Sequence, residues 1–127
     1  MKNKQKLDDW AAHTQVIFHC SDADAIELTR LCDELNRLAE ARYIAQKNGT
    51  EWKDEEALNR ARDAHRALNH RLRDEAMAQL QSQGWGPKDA LTIICRRGGA
   101  NPVDEPKALA KVLAAKDAMN HTATMTS

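Results

Sequence analysis

The stretch that decides the fold is residues 22–47, DADAIELTRLCDELNRLAEARYIAQK. Leucine recurs in it at alternating steps of three and four, at Leu28, Leu31, Leu35 and Leu38. This spacing puts the leucines on one stripe of an α-helix, as in a coiled coil. Ser21 is a favourable N-cap, and Asn48-Gly49 tolerates the left-handed conformation at a helix end. We predict one long helix whose leucine stripe forms a bundle or dimer face.

A second long helix follows over residues 50–83. We expect Thr50 to cap it and Gly84 with Gly86-Pro87 to stop it. Its predicted inner stripe again has steps of four and three, at Ala57, Ala61, Ala64, Leu68, Leu72, Ala76 and Leu80. A turn of two or three residues joins the two helices, so residues 22–83 are predicted to form an antiparallel helical hairpin.

Two shorter helices are predicted in residues 87–120. Pro87 suits a first helical turn, and Arg96-Arg97 followed by Gly98-Gly99 suits a helix end. The apolar face of the first short helix is expected to hold Ala90, Leu91, Ile94 and Cys95. The second begins near Asp104 and Pro106, and residues 121–127 are expected to be a flexible tail.

The N-terminal residues 1–20 allow two interpretations. Leu7, Trp10, Ala11, Thr14 and Phe18 fit a helix face, whereas residues 14–20 are rich enough in Val, Ile and Phe for a strand. We favour a helix, because a lone strand in a helical chain has no pairing partner. The predicted fold is therefore all-α, a small helical bundle in a single domain over residues 1–127.

Composition narrows the class of protein. The chain has 127 residues, 42 % of them apolar and 30 % charged, and its formal net charge is zero. It has 21 Ala and 12 Leu against five Gly and three Pro, which favours helix. Zero net charge argues against a polyanion binder that works through bulk positive potential.

The sequence lacks the signals of a membrane protein, a secreted protein and a disulfide or zinc scaffold. No stretch approaches the roughly 18 apolar residues of a membrane span, and no apolar signal region follows the basic start. Three cysteines without a CxxC pair argue against a disulfide framework and a zinc ribbon. We expect a cytoplasmic protein without a membrane partner.

The histidines and cysteines form no recognisable catalytic or metal-binding pattern. His65 and His70 are five residues apart and do not share a helix face as a ligand pair would. His19-Cys20 with Cys32 or His13 is a weak metal grouping, since adjacent residues seldom point at one ion. HExxH, GxSxG, P-loop and GxGxxG motifs are absent. We expect no catalytic residue, no metal and no cofactor, and hence not an enzyme.

Charge is distributed unevenly along the chain. Residues 22–56 hold ten acids and five bases, and residues 57–100 hold eight bases and four acids. On the second helix we define the arginine ridge as Arg62, Arg66, Asn69 and Arg73, flanked by His65 and His70. The ridge is either a docking site for an anionic partner or a basic helix that compensates the acidic one packed against it. The sequence favours compensation.

Two of the three tryptophans mark the ends of the second long helix. Trp52 is expected in its first turn and Trp85 in the Gly84-Trp85-Gly86 break. Tryptophans there either plug the end of a bundle or act as interaction hot spots.

The functional prediction is a non-catalytic regulatory or interaction protein, an adaptor or inhibitor that binds another protein. Such compact helical chains are frequent among regulatory genes and among those of phages and plasmids. The leucine stripe favours a homodimer. The alternative is a nucleic-acid-binding regulator that uses the arginine ridge.

Overall fold

The computed structural model describes the backbone of residues 8–126 and the side chains of residues 8–120. Over that range the chain forms five α-helices and no strand, which confirms the predicted all-α class. The helices are α1 (Asp9–Phe18), α2 (Asp22–Asn48), α3 (Glu55–Gln83), α4 (Pro87–Arg96) and α5 (Glu105–Thr126). They belong to two compact units, unit 1 (Met1–Arg73) and unit 2 (Asp74–Ser127).

Unit 1 contains the predicted antiparallel hairpin, made by α2 and the first part of α3. Near one end Arg71 Nη2 lies 2.8 Å from Asp24 Oδ1, and near the other Arg42 Nε lies 3.6 Å from Glu55 Oε1. As the residue number rises along α2, that of its partner on α3 falls, so the two helices run in opposite directions. Leu38, Leu58 and Ala61 pack together between them.

The predicted ends of α2 are confirmed. The Ser21 hydroxyl accepts a hydrogen bond from the Asp24 backbone N–H at 3.1 Å, as an N-cap does. At the other end Gly49 adopts the left-handed conformation, with φ of 71°, and its N–H donates to the carbonyls of Ala45 and Gln46.

The predicted start of the second long helix is wrong. Thr50 belongs to the end of α2, because its backbone N–H and its hydroxyl both donate to the Ala45 carbonyl, at 2.9 and 3.2 Å. Residues 51–54 are not helical, and α3 begins at Glu55. The Leu58 N–H donates to the Asp54 carbonyl, which makes Asp54 the residue that leads into the helix.

The N-terminal segment is helical, as we favoured, and the strand alternative is wrong. The Asp8 carboxylate accepts from the Ala11 N–H at 2.8 Å and caps α1, which packs against α2. Ala11 is buried, but Trp10 is 72 % exposed and is not on the inner face. Residues 1–7, including Leu7, lie outside the described residues.

The leucine stripe of α2 is covered within a single chain. Leu28, Leu31 and Leu38 are buried and Leu35 is partly buried. The stripe therefore lies on the packed side of α2. The expected inward position of Ala64 on the second long helix is wrong, because Ala64 is exposed. The helical period carries it away from the packed side of the helix.

Unit 2 holds the end of α3 with α4 and α5. The buried apolar residues of this unit are Ala76, Leu80, Trp85, Ala90, Ile93 and Ile94. On α4 the buried face is therefore Ala90, Ile93 and Ile94, and the expected inward positions of Leu91 and Cys95 are wrong, since both are exposed. Pro87 does occupy the start of α4, as predicted.

The last helix is longer than predicted. α5 begins at Glu105, close to the expected start, but runs for 22 residues to Thr126. The backbone of residues 121–126 is helical, the flexibility expected for residues 121–127 stays a prediction, and Ser127 lies outside the described residues. No glycine or proline follows Pro106, so the backbone meets no residue that would end the helix.

Candidate functional site

The arginine ridge lies on α3 within unit 1. From Arg62 to Arg73 it extends about 16 Å along the helix axis, at about 1.5 Å per residue. The three arginines and His70 are exposed, whereas Asn69 and His65 are half-buried. The guanidinium groups are therefore exposed to solvent, next to the packed face of the helix.

Among the described residues, the ridge arginines have no acidic partner. Arg62 Nη1 donates to Asn59 Oδ1 at 3.5 Å, and Arg73 Nη2 lies 2.9 Å from His70 Nδ1. In the part of the chain that the structure describes, none of Arg62, Arg66 and Arg73 makes an ion pair with a carboxylate. Three cationic groups thus remain uncompensated at short range.

Charge compensation between α2 and α3 uses other residues. The ion pairs that connect the helices are Arg71 with Asp24 and Arg42 with Glu55. The ridge takes part in neither pair, so no described ion pair with α2 neutralises its arginines.

Other acids of α2 are neutralised within that helix. Glu27 binds Arg30 and Glu34 binds Arg37, each with a shortest oxygen–nitrogen distance of 2.7 Å. Hydrogen bonds from these arginines lower the pKa of both glutamates below the ordinary value. These carboxylates are therefore already engaged on their own helix.

The contact between Arg73 and His70 requires a hydrogen-bond acceptor on the imidazole. A guanidinium offers only N–H donors, so the Nδ1 atom of His70 has to accept. This contact therefore requires that Nδ1 carries no proton. His65 belongs to the same ridge but makes no described hydrogen bond.

The two tryptophans at the ends of α3 contribute to packing. Trp52 lies in the segment before α3 and not in its first turn, which corrects the sequence prediction, and it packs against the cluster of Leu38, Leu58 and Ala61. Trp85 is 6 % exposed within unit 2. The indole N–H of each is buried without a described hydrogen-bond partner. Trp85 could contact a partner only if unit 2 opened locally.

Sequence reasoning missed two exposed aromatic side chains of unit 1. Trp10 on α1 is 72 % exposed and Tyr43 on α2 is 63 % exposed. A shallow depression on α1 is lined by Asp9, Trp10 and His13. Tyr43 could have been found, because helical geometry places it about 140° around the axis from Leu38. The exposure of Trp10 had no comparable signal, because α1 is short and weakly patterned.

The described residues contain neither a cluster of metal ligands nor a membrane-spanning helix. No group of three or more His, Cys, Asp and Glu side chains is placed to hold a metal ion there. His19 adopts the left-handed conformation with φ of 54°, and Cys20, Cys32 and Cys95 form no disulfide with one another. Of the helices described, none is long and apolar enough to cross a membrane.

Comparison with protein-family models, with curated proteins and with solved structures finds no match to the chain. A function therefore has to be argued from the residues themselves. The arginine ridge is the strongest candidate binding site, because its exposed cations have no described carboxylate partner. The exposed aromatic residues of the same unit come next.

Proposed function

We propose that the chain is a non-catalytic, cytoplasmic interaction protein, an adaptor or inhibitor that covers an acidic surface of another protein. The arginine ridge is the centre of that contact. The observation that carries the proposal is the exposure of Arg62, Arg66 and Arg73 without a carboxylate partner among the described residues. Arginine binds carboxylates through two parallel hydrogen bonds and is enriched at interaction hot spots.

The aromatic residues of unit 1 support a protein partner. Tryptophan and tyrosine, with arginine, are the side chains that contribute most to protein interfaces, because they bury a large area at low entropic cost. Trp10 and Tyr43 are both more than half exposed. They would supply apolar contact area that the ridge alone lacks.

The charge balance of the chain favours short-range recognition. Its net charge is zero, and α3 itself carries Asp63 close to the ridge in sequence. Long-range attraction of any polyanion is therefore weak. Specific pairing of each guanidinium with a carboxylate would provide most of the electrostatic energy.

The test is a pull-down with the tagged full chain from lysate of the source cells, with and without nuclease. The ridge variant is Arg62→Gln with Arg66→Gln and Arg73→Gln. The matched control is Arg30→Gln with Arg37→Gln and Arg60→Gln, which removes the same charge from exposed arginines elsewhere in unit 1. We expect a nuclease-resistant protein band with the wild type and the control but not with the ridge variant. Equal recovery with all three proteins would overturn the proposal.

Nucleic acid is the second candidate partner, favoured by the same uncompensated cations. Three arginine–phosphate contacts predict that the logarithm of the binding constant falls with the logarithm of salt concentration with a slope of about −2.7 for duplex DNA. Loss of every band after nuclease treatment, with a slope of that size for the recovered nucleic acid, would support this candidate over a protein partner.

The homodimer also stays a proposal. The leucine stripe suggested it, but those leucines are already covered in unit 1, so a dimer would need another surface. Light scattering at micromolar concentration tests the homodimer, and a monomeric mass would contradict it.

A further inference from the structure

The pair formed by Arg73 and His70 gives the arginine ridge a second charge state. The Arg73 Nη2 atom lies 2.9 Å from His70 Nδ1, and both side chains are exposed. Since the guanidinium can only donate, the pair exists only while Nδ1 keeps its lone pair. The contact therefore depends on a neutral imidazole.

Protonation removes the contact and adds charge. When Nδ1 takes a proton from solvent, it loses the lone pair that Arg73 used, and two cations then face each other. Arg73 is released into solvent, and the cations of Arg62, Arg66 and Arg73 are joined by a fourth. Histidine is the side chain that ordinarily changes charge between about pH 5 and 8.

We infer that His70 makes the ridge pH-responsive, so that it binds an anionic group more tightly as the pH falls from about 8 to about 5.5. This inference rests on the proposed function, because it concerns the same ridge. In the neutral state His70 accepts one N–H of Arg73, whereas in the protonated state His70 itself donates to the ligand and that N–H of Arg73 becomes available as well.

No charged group other than Arg73 makes a described bond with His70. On its own helix Arg66 lies one turn before it and Asp74 one turn after it. On α2, at the level fixed by the Arg71–Asp24 pair, Asp24 is bound by Arg71 and Asp22 accepts from Gln15. The titratable groups described on α1 are Asp8, Asp9 and His13, with His19 directly after it, and none of them makes a described bond with His70.

The test measures binding of a heparin hexasaccharide, whose sulfate groups stay ionised throughout this pH range. Calorimetry with the full chain at about pH 8 and about pH 5.5 should show affinity about two- to five-fold higher at the lower pH, the range expected for one added exposed ion pair. His70→Gln should bind equally at both pH values, because glutamine accepts from Arg73 but does not titrate. His13→Gln with His19→Gln is the matched control and should keep the wild-type dependence.

The outcomes separate the two proposals. If His70→Gln keeps the wild-type pH dependence, or if only His65→Gln loses it, the inference about His70 is wrong while the ridge remains the binding site. If the ridge variant binds the hexasaccharide as tightly as the wild type, the ridge is not an anion site and the proposed function itself fails. Nitrogen NMR at about pH 8 provides an independent check, since a proton on Nδ1 of His70 in place of Nε2 would overturn the inference directly.

Discussion

Arg97 and Glu105 form a two-point ion pair inside unit 2. Arg97 Nε lies 2.6 Å from Glu105 Oε1, and Nη2 lies 2.8 Å from Oε2. The Arg97 side chain is 8 % exposed and that of Glu105 is 24 % exposed. The pair fastens the end of α4 to the first residue of α5. The sequence had indicated only that Arg97 lies at a helix end.

Glu105→Gln should lower the free energy of unfolding by about 2 to 4 kcal/mol. The substitution leaves the buried Arg97 guanidinium without its anionic partner, and an uncompensated buried charge is costly. Urea unfolding followed by circular dichroism measures the change. Glu34→Gln is the control, since it breaks an exposed pair on α2 and should have a clearly smaller effect. Equal changes in the two variants would contradict the burial argument.

Leu38→Ala should destabilise unit 1 by about 2 to 4 kcal/mol, because it removes a buried side chain from the cluster with Leu58 and Ala61. The loss should be the same at every protein concentration, since these contacts lie within one chain. Unfolding midpoints measured over a hundred-fold concentration range test this. Ile44→Ala, at a half-exposed position, should change stability by less than about 1 kcal/mol. A Leu38→Ala loss that grows with concentration would instead place the leucine stripe in a dimer.

Gly84→Ala should cost more stability than Gly49→Ala, by about 1 kcal/mol or more. Both glycines have positive φ, 119° and 71°, which strains any L-residue. At Gly84 an added Cβ would also lie 2.9 Å from Leu113 Cδ2, whereas at Gly49 it would meet nothing within 4 Å. Thermal unfolding of the two variants makes the comparison. Equal losses would mean that Leu113 moves aside freely.

Glu27 and Glu34 should make the stability of the chain depend on pH in acid. Hydrogen bonds from Arg30 and Arg37 lower the pKa of these carboxylates in the folded protein below the ordinary value of 4.5. Their stabilisation is therefore present above about pH 4.5 and is lost as the pH falls through the lowered folded pKa. The difference in unfolding midpoint between the wild type and Glu27→Gln with Glu34→Gln should be present at roughly pH 7 and shrink at roughly pH 2.5.

The control for this pH experiment is Asp33→Asn with Glu40→Gln. These two carboxylates of α2 have no described ion pair or hydrogen bond, so their removal should leave the acid dependence nearly unchanged. A wild-type advantage over the Glu27 and Glu34 variant that persists undiminished in acid would show that the two arginine pairs do not stabilise the folded state.

Local sequence determined the helices of this protein and most of their ends. Leucine spacing specifies α2, Ser21 caps it and Gly49 ends it, because periodicity and capping act over one or two turns. The predicted start of α3 was wrong because Thr50 can either cap a following helix or complete a preceding one. It resembles an N-cap by type, but it donates to Ala45 and completes the preceding helix.

Whether the ridge arginines have acidic partners could be decided only from the tertiary structure. The sequence placed Arg62, Arg66 and Arg73 on one face of a helix, yet it could not tell whether acidic residues of α2 neutralise them. That depends on the register of the hairpin, which pairs Asp24 with Arg71 and leaves the ridge uncompensated. The burial of Arg97 likewise depends on where α5 begins relative to α4. Periodicity and caps are local properties that one sequence carries, whereas partner choice among many similar charges follows from how helices pack, and only the folded chain decides it.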